Sequence, residues 1–266
     1  KISGTRFAYL KNETVLLEFA LVQLAFEILT REGFIPVVPP VFIKGEIMKA
    51  LGYLEQGTDD MFLVQNDNLF LIGTAEHAIV PMHEDEVLNK KELPKRYVGF
   101  STSFRREAGS YGKDTRGIFR VHQFDKVEMV SFTSEEDDDK EHEYLLSLQE
   151  KLFQLLEIPY RVVKMCTGDL GFPTARKYDL EAYLPSQKTY REVTSCSTTT
   201  DFQARRLNIK YQEGSEKKFV HILNGTAFAV GRTIIAILEN YQQKDGKILI
   251  PKVLHKYLNF SKISSK

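Results

Sequence analysis

The sequence predicts a mixed α+β domain, built as an antiparallel sheet flanked by helices. Most β-prone runs follow one another as hairpins, and helical segments lie before and between them instead of alternating with single strands. The sequence also lacks a glycine-rich dinucleotide fingerprint and a P-loop, which excludes two common nucleotide-binding folds. A nucleotide, if one binds, must be held in another way.

Length and composition fit one domain over residues 1–266. Lysine plus arginine equals aspartate plus glutamate at 36 each, which excludes a global basic field for nucleic acid, so any such contact must be local. No apolar run reaches the length of a membrane span, and no apolar signal segment opens the chain. We therefore expect no membrane partner and a cytoplasmic location. Because the chain starts at Lys1 and not at methionine, we expect that upstream residues were removed or are not included.

The two cysteines, Cys166 and Cys196, are too few for a disulfide framework and match no common zinc spacing. We expect them to be free thiols.

The first predicted element is a helix from about Asn12, a suitable N-cap, to about Arg31, and Gly33 ends it. Apolar residues at helical spacing predict the stripe that faces the core: Val15, Phe19, Val22, Phe26 and Leu29.

The next segments predict an edge strand, a short helix and a hairpin. Residues 34–41 are β-prone but rich in proline, which belongs at a sheet edge or outside a sheet, so we expect an edge or interface strand. Residues 44–51 have a helical pattern. Residues 61–64 and 69–72 flank a polar turn and predict a hairpin.

The longest predicted strands, 97–104 and 118–132, flank a loop rich in Gly, Arg and Asp and are expected to pair antiparallel with a mobile tip. A second long helix is predicted from Ser134 to Leu156, with Ser134 and Asp137 as N-terminal caps and an acidic run at its positive end. The remaining predicted elements are strands at 161–166, 178–183, 190–195 and 219–223, and an apolar helix at 226–240.

The densest cluster of cations and glycines is the stretch from Phe104 to Phe124, FRREAGSYGKDTRGIFRVHQF. Guanidinium groups bind phosphate through paired hydrogen bonds, glycines allow close backbone approach, and an aromatic ring such as Phe124 offers a face for a purine. Composition alone is at least as typical of a solvated basic loop. A nucleotide site therefore requires partners elsewhere in the chain.

A second cluster, NGTAFAVGRTIIA at 224–236, sets small residues and one arginine at the head of an apolar helix. Burying Arg232 without a partner would be costly, whereas a helix start beside glycines favours an anion. The alternative is an arginine that extends to solvent. We favour the anion-binding interpretation.

These two strings resemble motifs 2 and 3 of class II aminoacyl-tRNA synthetases, specifically of the seryl-tRNA synthetases. Gly33-Phe34 followed by Val37 and Pro40 resembles motif 1. Further segments similar to the seryl type follow in family order: TAE at 74–76, HQFDKVE at 122–128, CTGD at 166–169, YREVTSCS at 190–197 and DFQARR at 201–206. Each segment is a weak signal alone, but their common order and spacing over about residues 1–260 make the resemblance specific.

The resemblance implies an ATP site. Arg105 corresponds to the arginine that binds the α-phosphate and the serine carboxylate, and Arg232 to the arginine on the γ-phosphate; these two are the implied catalytic residues. Glu107 corresponds to the reader of the adenine amino group, and Phe124 to the ring stacked on adenine. The other implied ATP-binding residues are Arg106, to which we assign no individual role, and Arg120, Val121, Glu192, Val193, Thr194 and Ser195.

The resemblance also implies Mg²⁺ and a serine pocket. Glu192 and Ser195 correspond to the magnesium ligands beside the phosphates, which suits hard oxygen donors. Acidic residues in the pocket would pair with the substrate ammonium and accept from its hydroxyl, and the methyl group of Thr226 would narrow the pocket. The implied serine-binding residues are Thr74, Ala75, Glu76, Arg105, Glu128 and Thr226.

The implied function is that of a serine–tRNA ligase: activation of L-serine with ATP to seryl-adenylate, then transfer to tRNA(Ser). The family forms homodimers through the motif 1 strand and the preceding helix, so we expect a homodimer. The family's N-terminal tRNA-binding coiled-coil arm is absent from the sequence, so we expect the transfer step to be weakened or lost.

Two alternatives stay open at this point: a paralogue that loads another carrier, and a non-catalytic regulatory homologue. Retention of Arg105, Glu107, Glu192 and Arg232 argues against the second.

Overall fold

The structure is a computed structural model that describes residues 2–55, 58–108, 112, 114 and 117–264. The tip of the arginine- and glycine-rich loop, for which mobility is predicted, lies largely outside the described residues. The helices are α1 (Glu13–Arg31), α2 (Gly45–Ala50), α3 (Glu76–Ile79), α4 (Asp138–Leu155), α5 (Phe202–Arg206) and α6 (Val230–Tyr241). The strands are β1 (Ile35–Val37), β2 (Phe42–Lys44), β3 (Leu63–Val64), β4 (Leu69–Leu71), β5 (Val87–Asn89), β6 (Lys95–Phe104), β7 (Gln123–Thr133), β8 (Tyr160–Lys164), β9 (Arg176–Leu184), β10 (Thr189–Thr198), β11 (Lys210–Glu213), β12 (Glu216–Phe219), β13 (His221–Ala229), β14 (Ile248–Leu249) and β15 (Lys262–Ile263).

A seven-stranded sheet, in the order β1-β6-β7-β13-β10-β9-β8, forms the centre of the fold. Every pairing in it is antiparallel except that of β1 with β6. The predicted α+β class with an antiparallel sheet and flanking helices is confirmed. Small sheets β12-β11-β5, β2-β4-β3 and β14-β15 accompany it.

Apolar side chains pack on both faces of the large sheet. Successive residues of one strand point to opposite faces, and Tyr97 and Val98 of β6 indeed belong to two different apolar clusters. The cluster around Val98 includes buried residues of α1, α4 and α6, and the cluster around Tyr97 includes buried residues of β4, α3 and β11. The sheet is therefore covered on both sides along its centre.

Helix α1 has the predicted length, and its buried face agrees with the predicted stripe only in part. Its buried residues are Leu17, Ala20, Leu21, Leu24, Ala25 and Leu29. Of the predicted stripe, Leu29 is buried, Val22 and Phe26 pack partly buried against the same core, and Phe19 is 52% exposed. The helix carries apolar residues around most of its circumference, so spacing alone does not identify the face that meets the sheet. Asn12 occupies the N-cap position, but its side chain makes no capping hydrogen bond.

The proline-containing strand and the hairpin agree with prediction. β1 lies at one edge of the large sheet, and β3 and β4 pair antiparallel. The two long strands β6 and β7 also pair antiparallel, but β7 begins at Gln123, so residues 118–122 are not strand.

Two helix boundaries differ from prediction. Helix α4 begins at Asp138 after a short 3-10 turn, Glu135–Asp137, and neither Ser134 nor Asp137 caps the backbone through its side chain. Residues 226–229 belong to β13, so α6 begins only at Val230. Thr226 therefore lies within the sheet, and Arg232 lies in the first turn of α6.

Within the described residues, no helix combines the length and hydrophobicity that a membrane span requires. Both cysteines are free thiols, as predicted.

Candidate active site

A cleft lies over the middle of the large sheet. Its walls come from the end of β6, the loop between β6 and β7, strands β7, β10 and β13, and the start of α6. The lining residues are Arg105, Glu107, Ile118, Phe119, Arg120, Val121, Phe124, Lys126, Glu192, Val193, Thr194, Ser195, Thr226, Ala229, Gly231 and Arg232. Ten of the eleven residues predicted to bind ATP are in this set.

Arg105 follows β6, and its backbone is fixed in the cleft wall. Its N–H donates to the His122 carbonyl at 2.9 Å, and its Nε donates to the Gly73 carbonyl at 3.2 Å. The guanidinium carbon lies 5.5 Å from the centre of the Phe124 ring. Among the described residues, Nε makes the only side-chain hydrogen bond of Arg105, which leaves its two terminal nitrogens for a planar oxyanion.

Arg232 projects from the first turn of α6 and is anchored on two sides. Nε donates to the Phe119 carbonyl at 3.2 Å, and Nη1 donates to the Glu192 carbonyl at 3.1 Å and lies 3.3 Å from the Glu192 carboxylate. Its guanidinium also lies over the Phe119 ring at 4.6 Å. Burial lowers the pKa of Arg232 from its ordinary value, and Glu192 acts in the opposite direction. A second anion beside Arg232 would further favour its charged form.

Glu107 and Arg120 form an ion pair of 2.6 Å at the same cleft. Glu107 has a φ of 55°, a left-handed conformation that is uncommon outside glycine. Arg120 fixes the position of the Glu107 carboxylate, an acceptor suited to an exocyclic amine.

Glu192 presents a carboxylate to the cleft from β10. Burial acts to raise its pKa, but Arg232, Lys177 and Arg105 together hold the pKa of Glu192 below its usual value, so it is ionised at neutral pH. Its neighbour Asp179 differs, because burial and the negative charge of Glu192 raise the pKa of Asp179 to about 6. Among the described residues, no group of three or more His, Cys, Asp or Glu side chains is placed to hold a metal ion by itself.

A second polar compartment adjoins the cleft and shares Arg105, Lys126 and Ser195 with it. Thr74, Glu76 and Glu128 line this compartment. Arg105 thus borders both spaces.

Three buried side chains form a network at the floor of the site. Thr226 Oγ1 donates to Glu128 Oε2 at 2.8 Å, and Lys126 Nζ lies 2.7 Å from the same oxygen. Burial lowers the pKa of Lys126, whereas Glu128 acts to raise it. Lys126 and Glu128 thus compensate each other's charge.

Glu76 is the other buried carboxylate of the compartment. It accepts hydrogen bonds from the Tyr53 hydroxyl at 3.2 Å and from Gln203 Nε2 at 2.9 Å. Burial raises its pKa, and the hydrogen bonds from Gln203 and Tyr53 act to lower it. Its partners are neutral groups, in contrast to the lysine beside Glu128.

The sequence and structure of this chain were compared with those of known proteins. A family model described as the tRNA synthetase class II core domain (G, H, P, S and T) matches residues 62–241. The chain belongs to this family.

Within this family, the chain is similar to serine–tRNA ligases. The chain is 52% identical over 268 residues to the serine–tRNA ligase of Dictyoglomus thermophilum, covering 100% of this chain and 63% of that protein. It is similar to the crystal structure of seryl-tRNA synthetase from Pyrococcus horikoshii complexed with ATP, with a TM-score of 0.96, 49% identity, and coverage of 98% of this chain and 59% of that one. It is also similar to the cytoplasmic serine–tRNA ligase of Naegleria fowleri in complex with AMP, with a TM-score of 0.94, 39% identity, and coverage of 100% and 63%.

The predicted resemblance to seryl-tRNA synthetases is confirmed by these similarities. This class II core spans about three fifths of the length of the relatives it matches.

Two residues predicted for this class II core's site do not line either space. Arg106 is exposed, and its guanidinium lies 6.0 Å from the centre of the Phe62 ring. Ala75 is fully buried beneath the compartment. The remaining predicted residues of the ATP and serine sets come together around Arg105.

Sequence reasoning missed Lys126, Tyr53 and Gln203 as parts of the site. Lys126 and Gln203 lie inside the segments that carry the family resemblance. The sequence signals that could have identified them are a charged residue within a β-prone run for Lys126 and an amide residue within a helical run for Gln203. Tyr53 follows α2 in a segment without any motif. No sequence signal connects it with Glu76.

Proposed function

We propose that this chain is the catalytic core of a serine–tRNA ligase that activates L-serine with ATP and transfers it to tRNA(Ser), and that residues 1–266 act as one domain. A serine carboxylate oxygen attacks the α-phosphorus of ATP, the bond to the β-phosphate oxygen breaks, and seryl-adenylate and pyrophosphate form. A terminal ribose hydroxyl of tRNA then attacks the adenylate carbonyl. AMP leaves, and the hydroxyl proton is released.

The observation that carries the proposal is the position of Arg105 between the two spaces. The first step requires one carboxylate and one phosphate to meet in line, and a guanidinium binds both groups through paired hydrogen bonds. Arg105 borders the cleft that suits a nucleotide and the compartment that suits a small amino acid. It therefore both aligns the reactants and stabilises the charge that develops between them.

ATP fits the cleft that Phe124, Glu107 and Arg232 line. Phe124 offers a ring face for adenine, Glu107 an acceptor for the adenine amino group, and Arg232 a positive charge for the terminal phosphate. The relative from Pyrococcus horikoshii is known in complex with ATP.

L-serine fits the polar compartment. Glu76 has no lysine or arginine partner among the described residues and is suited to the substrate ammonium group. Glu128 and Thr226 provide oxygen atoms near the position of a small hydroxyl. A buried site that bonds a hydroxyl rejects alanine, because alanine leaves polar groups unpaired.

Mg²⁺ is the cation that suits the donors near the phosphates. Glu192 is ionised and partly exposed to the cleft, and Ser195 adds a hydroxyl on the same strand. Mg²⁺ commonly takes one or two carboxylates together with substrate phosphates, and the two protein oxygens here fit that pattern. When bound, the ion would neutralise phosphate charge.

A homodimer accounts for the exposed apolar surface of motif 1 and α1. Leu16, Phe19, Ile35 and Val38 are 47%, 52%, 46% and 79% exposed. Apolar side chains concentrated on one helix and the adjoining sheet edge mark an interaction surface. Two free thiols agree with a reducing compartment, and we propose the cytoplasm.

The transfer step is tested by incubating the protein with labelled serine, ATP, Mg²⁺ and tRNA(Ser) and measuring acid-precipitable label. We expect ATP-dependent charging of tRNA(Ser) that is slower than serine activation, in keeping with the weakened transfer step expected from the sequence. Activation of serine without any charging would contradict the transfer half of the proposal and leave the activation half intact.

A further inference from the structure

Glu76 stands at the start of α3, 3% exposed, and is held from two distant parts of the chain. The Tyr53 hydroxyl lies 3.2 Å and 3.3 Å from its two carboxylate oxygens, and Gln203 Nε2 lies 2.9 Å from Oε1. Tyr53 follows α2, and Gln203 belongs to α5. Three separate elements thus meet at one carboxylate.

Both donors are neutral. Burial and the adjacent Glu76 carboxylate raise the pKa of Tyr53 well above its usual value, so its hydroxyl keeps its proton, and an amide does not ionise. The buried lysine of the compartment, Lys126, pairs with Glu128 at 2.7 Å. The hydrogen bonds on Glu76 therefore fix its oxygen atoms without supplying the positive charge that a buried carboxylate requires.

The two donors are themselves held rigidly. The Tyr53 ring packs on the His77 ring with centroids 4.2 Å apart, and burial together with Arg105 and Lys126 keeps the pKa of His77 well below its usual value. Gln203 is fully buried, and its Oε1 accepts from Thr199 Oγ1 at 3.4 Å. Neither side chain lacks a packing partner.

We propose that Tyr53 and Gln203 are positioning residues for serine recognition, which hold the Glu76 carboxylate oriented so that the substrate ammonium supplies its missing positive partner. This inference rests on the proposed function. The charged and titratable groups that face Glu76 are Glu128 and Lys126 from β7, Arg105 from the end of β6, Tyr53, and the neutral His77.

The test uses Tyr53→Phe and Gln203→Met in the ATP–pyrophosphate exchange reaction. Tyr53→Phe keeps the ring on His77 and removes one hydroxyl. Each variant should raise the KM for serine about tenfold or more, since a hydrogen bond to a charged group is lost. The KM for ATP should change less than about twofold, because the ATP cleft is untouched. Tyr144→Phe is the matched control, since Tyr144 also donates to a glutamate, Glu32, at 2.9 Å, but outside the site.

A pH profile distinguishes positioning from a general structural role. The two hydrogen bonds act to lower the pKa of Glu76, so their removal should move the acidic limb of kcat/KM for serine to higher pH. An unchanged serine KM and acidic limb in both variants, with wild-type exchange intact, would overturn the positioning role alone. Parallel loss for serine and ATP would equally overturn it, since it would indicate general disruption. Absence of serine-dependent exchange in the wild type would overturn the proposed function and this inference with it.

Discussion

Thr226 and Glu128 lie directly opposite each other in the register of β13 and β7, and the Thr226 hydroxyl donates to the Glu128 carboxylate at 2.8 Å. Both residues are buried, and Lys126 binds the same carboxylate oxygen. The hydrogen bond fixes the side-chain rotamer of Thr226 and therefore the direction of its methyl group. Thr226, which was predicted from the family resemblance alone, therefore lines the site with a fixed side-chain orientation.

Thr226→Ser should retain serine activation, because the hydroxyl bond to Glu128 is kept, and should lower discrimination against threonine. Exclusion of one methyl group is worth roughly 1–3 kcal/mol, so a loss of discrimination of about tenfold or more is expected. The ratio of kcat/KM for serine and threonine in pyrophosphate exchange measures it. Thr226→Val, which keeps the shape and removes the hydroxyl, should instead impair serine itself. An unchanged ratio in Thr226→Ser would mean that another wall excludes threonine.

Glu192→Gln should reduce the exchange rate about tenfold or more and raise the Mg²⁺ concentration needed for half-maximal rate, because a charged oxygen ligand is lost. The measurement is a Mg²⁺ titration of exchange at saturating ATP and serine. The matched control is Glu181→Gln, which removes a carboxylate from the cross-strand neighbour of Glu192, where it pairs with Arg161 outside the cleft. Identical Mg²⁺ dependence in both variants would exclude Glu192 as a ligand.

Glu18→Gln should make stability less dependent on pH. Burial and the adjacent Asp125 raise the pKa of Glu18 to about 8. The folded state therefore holds a proton that the unfolded state releases above its ordinary pKa, and wild-type stability falls as pH rises towards 8. Relative to wild type, the variant should gain roughly 1–3 kcal/mol between pH 5 and pH 9, since solvent screening reduces the full effect.

Urea unfolding at several pH values measures this gain. Glu13→Gln, in the first turn of the same helix, serves as the control. A constant difference between wild type and Glu18→Gln at all pH values would contradict the raised pKa of Glu18.

Phe19→Asp should convert the proposed dimer into a monomer, because a charge at the centre of an apolar interface loses its hydration without a partner. Sedimentation equilibrium at micromolar concentration should show at least about tenfold weaker association. Val162→Asp tests surface charge in general, since Val162 lies on β8 at the opposite edge of the sheet. A monomeric wild type at that concentration would contradict the proposed homodimer.

Local sequence signals were sufficient for much of the fold. Prolines predicted β1 as an edge strand. β-prone runs on either side of a polar turn predicted the β3–β4 hairpin, and β-prone runs on either side of the Gly-, Arg- and Asp-rich loop predicted the β6–β7 pair. The buried face of α1 was predicted only in part, because the exposed Phe19 is as apolar as the residues that meet the sheet. The predicted start of α6 was wrong, because Thr226 and its neighbours suit both a helix and a central strand. Their pairing with β7 places them in a strand.

The sequence likewise predicted some residues of the site and missed others. Arg105, Glu107, Phe124 and Arg232 were predictable because each belongs to a compact motif. The bonds of Tyr53 and Gln203 to Glu76 were not predictable, since they join residues 23 and 127 positions apart through tertiary packing. Spacing along the sequence does not indicate which distant residues will come into contact.

Serine-dependent ATP–pyrophosphate exchange, measured for wild type and for Arg105→Ala, tests whether Arg105 joins serine and ATP in adenylate formation. Arg105 contacts both spaces through a side chain outside the apolar core, so its loss should reduce catalysis by about 10²–10³-fold and leave the fold intact by circular dichroism. Arg161→Ala, which removes an exposed arginine on β8, should exchange at the wild-type rate. Wild type should exchange with serine and only slightly with alanine, and Arg105→Ala should lose the exchange with serine. Wild-type protein without serine-dependent exchange, or Arg105→Ala with near wild-type exchange, would contradict this role of Arg105 in adenylate formation.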